Sequence, residues 1–138
     1  MDIWSKRKRS TVMSRIRSAD TKPELAVRRY LQAIGVRYRL HAKSLPGTPD
    51  IVVPSRRVAI FVHGCFWHQH HNCIDGRIPK SRRSYWLPKL RGNVRRDAAV
   101  AKRLRRKGWR VLRLWECKVE RNPCRALAQL LRSIEARR

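Results

Sequence analysis

Carboxylates are scarce in this chain. Against 35 Lys and Arg there are only 9 Asp and Glu, a formal net charge of +26 over 138 residues. That imbalance exceeds what solubility requires and costs folding stability through self-repulsion, so an anionic partner is expected to relieve it. Long apolar runs are missing too. No segment is long and apolar enough to span a bilayer, and the opening MDIWSKRKRS has no apolar stretch behind it, so neither a membrane span nor a secretory signal is expected. With membranes set aside, the Trp, Tyr and Phe residues spread among the basic side chains point to nucleic acid. Cysteines number four. In a reducing cytoplasm, the expected location, thiols are more often metal ligands or core residues than disulfides, although the three possible pairings stay open. Repeats, linkers and low-complexity segments are absent, and the length suits one domain that needs no disulfide staples.

Residues 1–20 read as a basic N-terminal arm contacting DNA, with a weak helical pattern in Val12, Met13 and Ile16. Residues 21–138 read as a single domain. Its first helix is expected over about 22–34, where Thr21 and Glu24 stand at capping-box spacing, Leu25, Leu31 and Ile34 repeat at near-helical intervals, and Gly35 can end the helix. VRYRL alternates as a strand, PGTP turns the chain, and DIVVP and VAIFVH read as two more strands separated by the charged turn SRR. Residues 74–83 read as loop, about 85–106 as a basic helix, WRVLRLW as a fourth strand and PCRALAQLLRSIEARR as an amphipathic closing helix. The expected order is α-β-β-β-α-β-α, an α/β domain.

One stretch is rich in what the chain otherwise lacks. HGCFWHQHHNC, residues 63–73, holds four of the five histidines, two of the four cysteines, a Phe and a Trp. A buried strand would avoid so many ring nitrogens, and a plain loop would not expose a Phe-Trp pair, so the stretch reads as a site. Asp50 is the only carboxylate between Glu24 and Asp75 and stands where a strand begins. One acid among many cations suits a Mg²⁺ ligand, because Mg²⁺ takes one or two carboxylates and leaves its other positions to water and phosphate. A turn Asp bonded to its own backbone after Pro-Gly fits the local sequence equally well. The order helix-Glu, strand, Pro-Asp, strand, polar residue is that of a restriction-endonuclease-like, PD-(D/E)xK-type core. The acid-x-Lys of that core is missing here, because FVH stands in its place, which points to a variant in which histidines replace the Lys.

Taken together, MSRIRSADTKPE, LPGTPDIVV, VAIFVHGCFWH, YWLPKLRGNVRRD and GWRVLRLWECKV resemble the very short patch repair (Vsr) DNA mismatch endonucleases over about residues 10–119. The resemblance implies a strand-specific nick beside a T:G mismatch left by deamination of 5-methylcytosine, with catalytic Mg²⁺ and one structural zinc. It implies Asp50 and the Val62 carbonyl as Mg²⁺ ligands, Glu24 as an acid orienting a metal-bound water, and His63 and His68 as active-site histidines. One of those histidines stands near the scissile phosphate and the other acts as general base, a role open to an imidazole of pKa about 6.5. His41, outside the stretch, reads as a fold-stabilising hydrogen-bonding residue.

Zinc accounts for most of the 63–73 stretch. Cys65, a histidine and Cys73 would supply three tetrahedral ligands and Cys117 the fourth from a distant strand end. The spacing after Cys65 matches the resembled family at His70, whereas the family's common His-x-Cys ending matches His71, because this loop is one residue longer than usual. His70 is chosen. Cys124 reads as an inert buried thiol, with a four-cysteine site as the alternative. Phe66, Trp67 and Trp86 would ordinarily be core residues. The resemblance makes them a wedge that intercalates beside the mismatch. Trp4, Trp109 and Trp115 read as arm or core, and residues 120–138 receive no specific function. The implied setting is a bacterial-type cytoplasmic monomer, nucleoid-associated when bound to DNA, with other mismatch repair proteins as further candidate partners. Two competing functions are a restriction-type endonuclease of the same fold and a zinc-stabilised DNA-binding module without catalysis.

Overall fold

In the computed structural model, residues 21–70, 78 and 80–136 are described. The basic arm, His71 and Cys73 lie outside them. Helix α1 spans Lys22–Ala33. The Thr21 side chain accepts from the Glu24 N–H at 3.4 Å, and Pro23 occupies the first turn, where a missing N–H costs nothing. The helix ends as Gly35 enters the left-handed region at φ +77°. There the Val36 N–H reaches the Leu31 carbonyl and the Gly35 N–H the Gln32 carbonyl, a Schellman arrangement that satisfies the last carbonyls.

Four strands follow as one sheet in the order β1-β2-β3-β4: β1 Arg39–Leu40, β2 Ile51–Val53, β3 Val58–His63 and β4 Arg110–Trp115. The first two pairs are antiparallel and β3–β4 is parallel. β1 is shorter than VRYRL predicts. At His41 the backbone turns to φ +46°, and only single bonds from His41 and Ala42 to the Asp50 and Pro49 carbonyls continue the contact with β2. The charged turn is a 3₁₀ segment, Pro54–Arg56, closed by Arg57 at φ +52°. Helix α2, Arg83–Arg106, carries the chain from β3 to its parallel neighbour β4. Beyond β4 lie a short helix α3, Glu116–Arg121, and then α4, Pro123–Glu135. The observed order is therefore α-β-β-β-α-β-α-α. α3 escapes sequence reading because its six residues are too few to display a helical period.

Both faces of the sheet are covered. Ile51, Val53, Val58 and Ile60 pack with Val27 and Leu31 of α1 and Leu130 and Ile134 of α4. The alternate residues Val52, Ala59 and Phe61 pack with Leu104 of α2. Burial on both faces explains why DIVV and VAIFV read as unbroken apolar runs. Gly47 fixes the turn before Asp50: a Cβ there would stand 2.4 Å from a Val100 methyl, so PGTP lies directly on α2. No helix among the described residues is long and apolar enough to cross a membrane.

Candidate active site

Topology concentrates the polar chemistry at one end of the sheet. Asp50 precedes β2, which runs antiparallel to β3, and His63 and Trp115 close the parallel pair β3 and β4 at matching positions. The start of β2 and the ends of β3 and β4 thus share an edge, where three groups of side chains gather.

The first group is Glu24, His41 and Asp50, with ligand atoms all within 4.8 Å of one another. Asp50 Oδ2 accepts the Val62 N–H at 2.8 Å, so the Val62 peptide stands beside the carboxylate. Glu24, 1 % exposed, meets Arg28 at 2.9 Å and His41 Nε2 at 3.3 Å. Burial pushes the Asp50 carboxyl up to about 7, with the Glu24 charge adding to the rise and the Val62 N–H opposing it. Two carboxylates crowded out of water form a site that a divalent cation would relieve. A cation there would compete with the Asp50 proton.

The second group is His63, His68 and Asp97. The turn after β3 folds back through bonds from the His68 N–H to Gly64 and the His70 N–H to Cys65, which lays the His68 ring on the His63 ring at 3.8 Å and 3°. His68 Nδ1 contacts Asp97 Oδ2 at 2.5 Å. With the proton on Nδ1, Nε2 is left with a lone pair, the tautomer a general base requires. His63 is 4 % exposed, and its Nδ1 has no hydrogen-bond partner among the described residues. Burial, then His68 and Arg113, lowers its pKa to about 3, so the ring is neutral at physiological pH.

The third group is Cys65, His70 and Cys117. His70 Nδ1 stands 3.7 Å from Cys65 Sγ and 3.3 Å from Cys117 Sγ. Tetrahedral zinc with ordinary Zn–S and Zn–N lengths separates an S and an N ligand by about 3.5 Å, so the donor set and its spacing fit that ion. The Trp115 ring stacks on His70 at 4.3 Å, and Glu116 Oε1 accepts the Cys65 N–H at 3.0 Å, tying the turn to the end of β4. Cys124 is exposed, which corrects the reading of a buried thiol. Its place in the first turn of α4 faces it outward. The four-cysteine alternative loses ground, since His70 rather than Cys124 stands with the other two thiols.

Four aromatic rings form a further cluster. Phe66, Trp67 and Trp86 meet edge to face at centroid distances of 5.2, 5.3 and 5.9 Å, and Tyr85 adds a fourth ring 4.9 Å from Trp86. Trp86 is 7 % exposed and forms the base of the cluster, whereas Tyr85 is 46 % exposed. Lys89 Nζ lies 5.6 Å from the Trp67 and Tyr85 rings.

Of the sequence-predicted residues, Glu24, Asp50 and Val62 are thus neighbours, as are His63 and His68, then Cys65, His70 and Cys117, and Phe66, Trp67 and Trp86. One residue of the three groups had no role assigned from sequence. Asp97 is the only carboxylate in α2, the same scarcity that singled out Asp50, and that signal could have found it. His41 makes the hydrogen bond expected of it, but to Glu24 inside the site. Trp115, read as core, contacts His63 as well as His70.

A family model described as DNA mismatch endonuclease Vsr matches residues 1–74. Among curated proteins, the type II nicking enzyme V.XorIIP of Xanthomonas oryzae pv. oryzae is 50% identical over 133 residues, covering 96% of both chains. The type II nicking enzyme V.NmeAIP of Neisseria meningitidis serogroup A is 42% identical over 136 residues, covering 97% of this chain and 96% of that one. The DNA mismatch endonuclease Vsr of Escherichia coli K12 is 44% identical over 116 residues, covering 84% of this chain and 74% of that one.

Proposed function

Because the chain belongs to the DNA mismatch endonuclease Vsr family, we propose that it nicks one strand of duplex DNA beside a T:G mismatch, of the kind left when 5-methylcytosine deaminates, by Mg²⁺-dependent phosphodiester hydrolysis. The observation that carries this reading is that the Glu24–Asp50 carboxylates and the His68–Asp97 pair both lie at the end of the sheet where β2 begins and β3 ends. The domain is then a restriction-endonuclease-like core in which His63 and His68 stand where the usual acid-x-Lys is missing.

Asp50 and the Val62 carbonyl would hold Mg²⁺, which when bound supplies positive charge to the leaving oxygen and the developing phosphorane. Glu24, held by His41 and Arg28, orients the attacking water. His68 Nε2 takes the proton from that water while Asp97 fixes the ring and stabilises the imidazolium. His63, kept neutral by burial, adds a hydrogen-bonding ring near the scissile phosphate without a second positive charge beside His68. Cys65, His70, Cys73 and Cys117 would hold the structural zinc. On a T:G duplex in Mg²⁺ the protein should give one nick on one strand, abolished by chelator. Unchanged duplex would leave only a DNA-binding role.

The histidine choice is tested by zinc content. His70→Ala should lose the metal and His71→Ala retain it; loss only in the second variant would transfer the ligand to His71. The +26 charge predicts binding that weakens steeply with salt, with a log–log slope of about −0.9 per phosphate neutralised. A flat response would leave the charge unexplained.

The aromatic cluster acts as the wedge, since a mispaired step is cheaper to unstack than a paired one. Trp86→Ala removes its base while leaving both metal groups in place. Without that support the Phe66 and Trp67 rings lose their placement, and stacking on a base is worth about 1–3 kcal/mol, so preference for T:G over paired duplex should fall more than turnover on a pre-bound substrate. A 2-aminopurine beside the mismatch should brighten less with this variant than with the parent. Full preference and full brightening in Trp86→Ala would make the residue ordinary packing.

A further inference from the structure

His41 is 17 residues from Glu24 in sequence, yet its Nε2 stands 3.3 Å from each Glu24 oxygen. Its backbone is held for this. The His41 N–H donates to the Asp50 carbonyl at 3.0 Å, and the residue sits at φ +46°, a region that residues with a Cβ enter at a cost. The side chain, 28% exposed, is open enough for the ring to turn over between tautomers. With its proton on Nε2 the ring donates to Glu24; with the proton on Nδ1, the Nε2 lone pair is available to a cation. Together with the two carboxylates it makes a mixed oxygen and nitrogen donor set within 4.8 Å.

We infer that His41 is a nitrogen ligand of the catalytic cation, so that the Glu24–His41–Asp50 group, while served by Mg²⁺ in cleavage, binds a first-row divalent ion such as Mn²⁺ more tightly. The inference rests on the reading of Asp50 as the carboxylate ligand of that cation. Mg²⁺ is served by oxygen donors and water, whereas an imidazole nitrogen adds affinity along the first-row series. The thiolates of Cys65 and Cys117 form a softer site that does not compete for a hard ion such as Mn²⁺.

Mn²⁺ is therefore the probe, added to the full chain purified without chelator. Free Mn²⁺ measured by electron paramagnetic resonance gives the affinity, and electron spin-echo modulation reports any ¹⁴N bonded to the ion. The parent should bind Mn²⁺ with ¹⁴N modulation and lose binding in Asp50→Asn. His41→Gln and His41→Asn should lose the modulation and bind Mn²⁺ at least about tenfold more weakly, with a smaller change for Mg²⁺ measured by competition. His41→Asn tolerates the positive φ, so an unchanged melting curve in that variant separates a lost ligand from a lost fold. Modulation that persists in both His41 variants, or parent protein that binds Mn²⁺ through Asp50 without modulation, overturns the role of His41 alone. Parent protein with no Asp50-dependent Mn²⁺ binding overturns the cation site and this inference with it.

Discussion

Asp50→Asn should abolish nicking while leaving duplex binding within a few fold of the parent. In the proposed mechanism the carboxylate would serve the catalytic cation, and the many Lys and Arg side chains would serve the phosphates. Metal stabilisation of a phosphoryl transition state is worth several kcal/mol, so at 1.36 kcal/mol per decade the rate should fall by about a thousandfold or more. Single-turnover cleavage and filter binding on the same duplex separate the two effects. Equal loss of both would remove Asp50 from catalysis. The same substitution has a second, opposite signature. Because the folded carboxyl is raised from 3.8 to about 7, the folded state holds the proton more tightly than the unfolded chain. This contribution is fully present below pH 3.8 and is lost as pH rises through 7. In chelator at pH 8, Asp50→Asn should therefore melt higher than the parent, and the gap should close toward pH 4. Added Mg²⁺ should raise the parent's melting temperature and leave the variant's unchanged.

Cys117→Ser should lose zinc and destabilise the whole domain. Cys65 and Cys117 lie just beyond the ends of the parallel strands β3 and β4, so a shared ion would cross-link a loop of about 50 residues, a constraint worth about 4 kcal/mol to the folded state by loop-entropy reasoning. For a domain of this size the melting temperature should fall by roughly 10–20 °C. The two apolar layers against the sheet remain, so the variant should still fold when cold, unlike a zinc finger that depends on its metal outright. Metal analysis and thermal melting check both statements, and removing zinc from the parent should reproduce the variant's curve. Retained zinc with unchanged melting would point to another ligand set.

Much of this was legible because the chemistry is written against a contrasting background. In a chain of 35 cations, each isolated acid stands out, and Asp50 was found by that contrast. The strands were legible from their apolar runs and α1 from its cap. What escaped depends on three-dimensional return. Asp97 follows the first site histidine by more than 30 positions and meets His68 only because α2 crosses over between two parallel strands. His41 sits one residue beyond a two-residue strand, in a left-handed backbone conformation, and meets Glu24 across 17 positions of chain. Burial of Trp86 agrees with the ordinary reading of a large aromatic as a core residue, which the resemblance had set aside. α3 was missed because six residues show no period, and Cys124 because its outward direction depends on where α4 starts.

The central claim is strand-specific cleavage directed by a mismatch, and both competing functions are separated from it by one measurement. Duplexes carrying each single mismatch in turn, with both strands end-labelled in different colours, are incubated with the protein and Mg²⁺ and resolved under denaturing conditions. The account predicts a nick in one strand of the T:G duplex, an intact complementary strand, and little cleavage of fully paired DNA. Cleavage of both strands in paired duplexes would identify a restriction-type enzyme, and binding without any cleavage a non-catalytic module; either result would contradict the account.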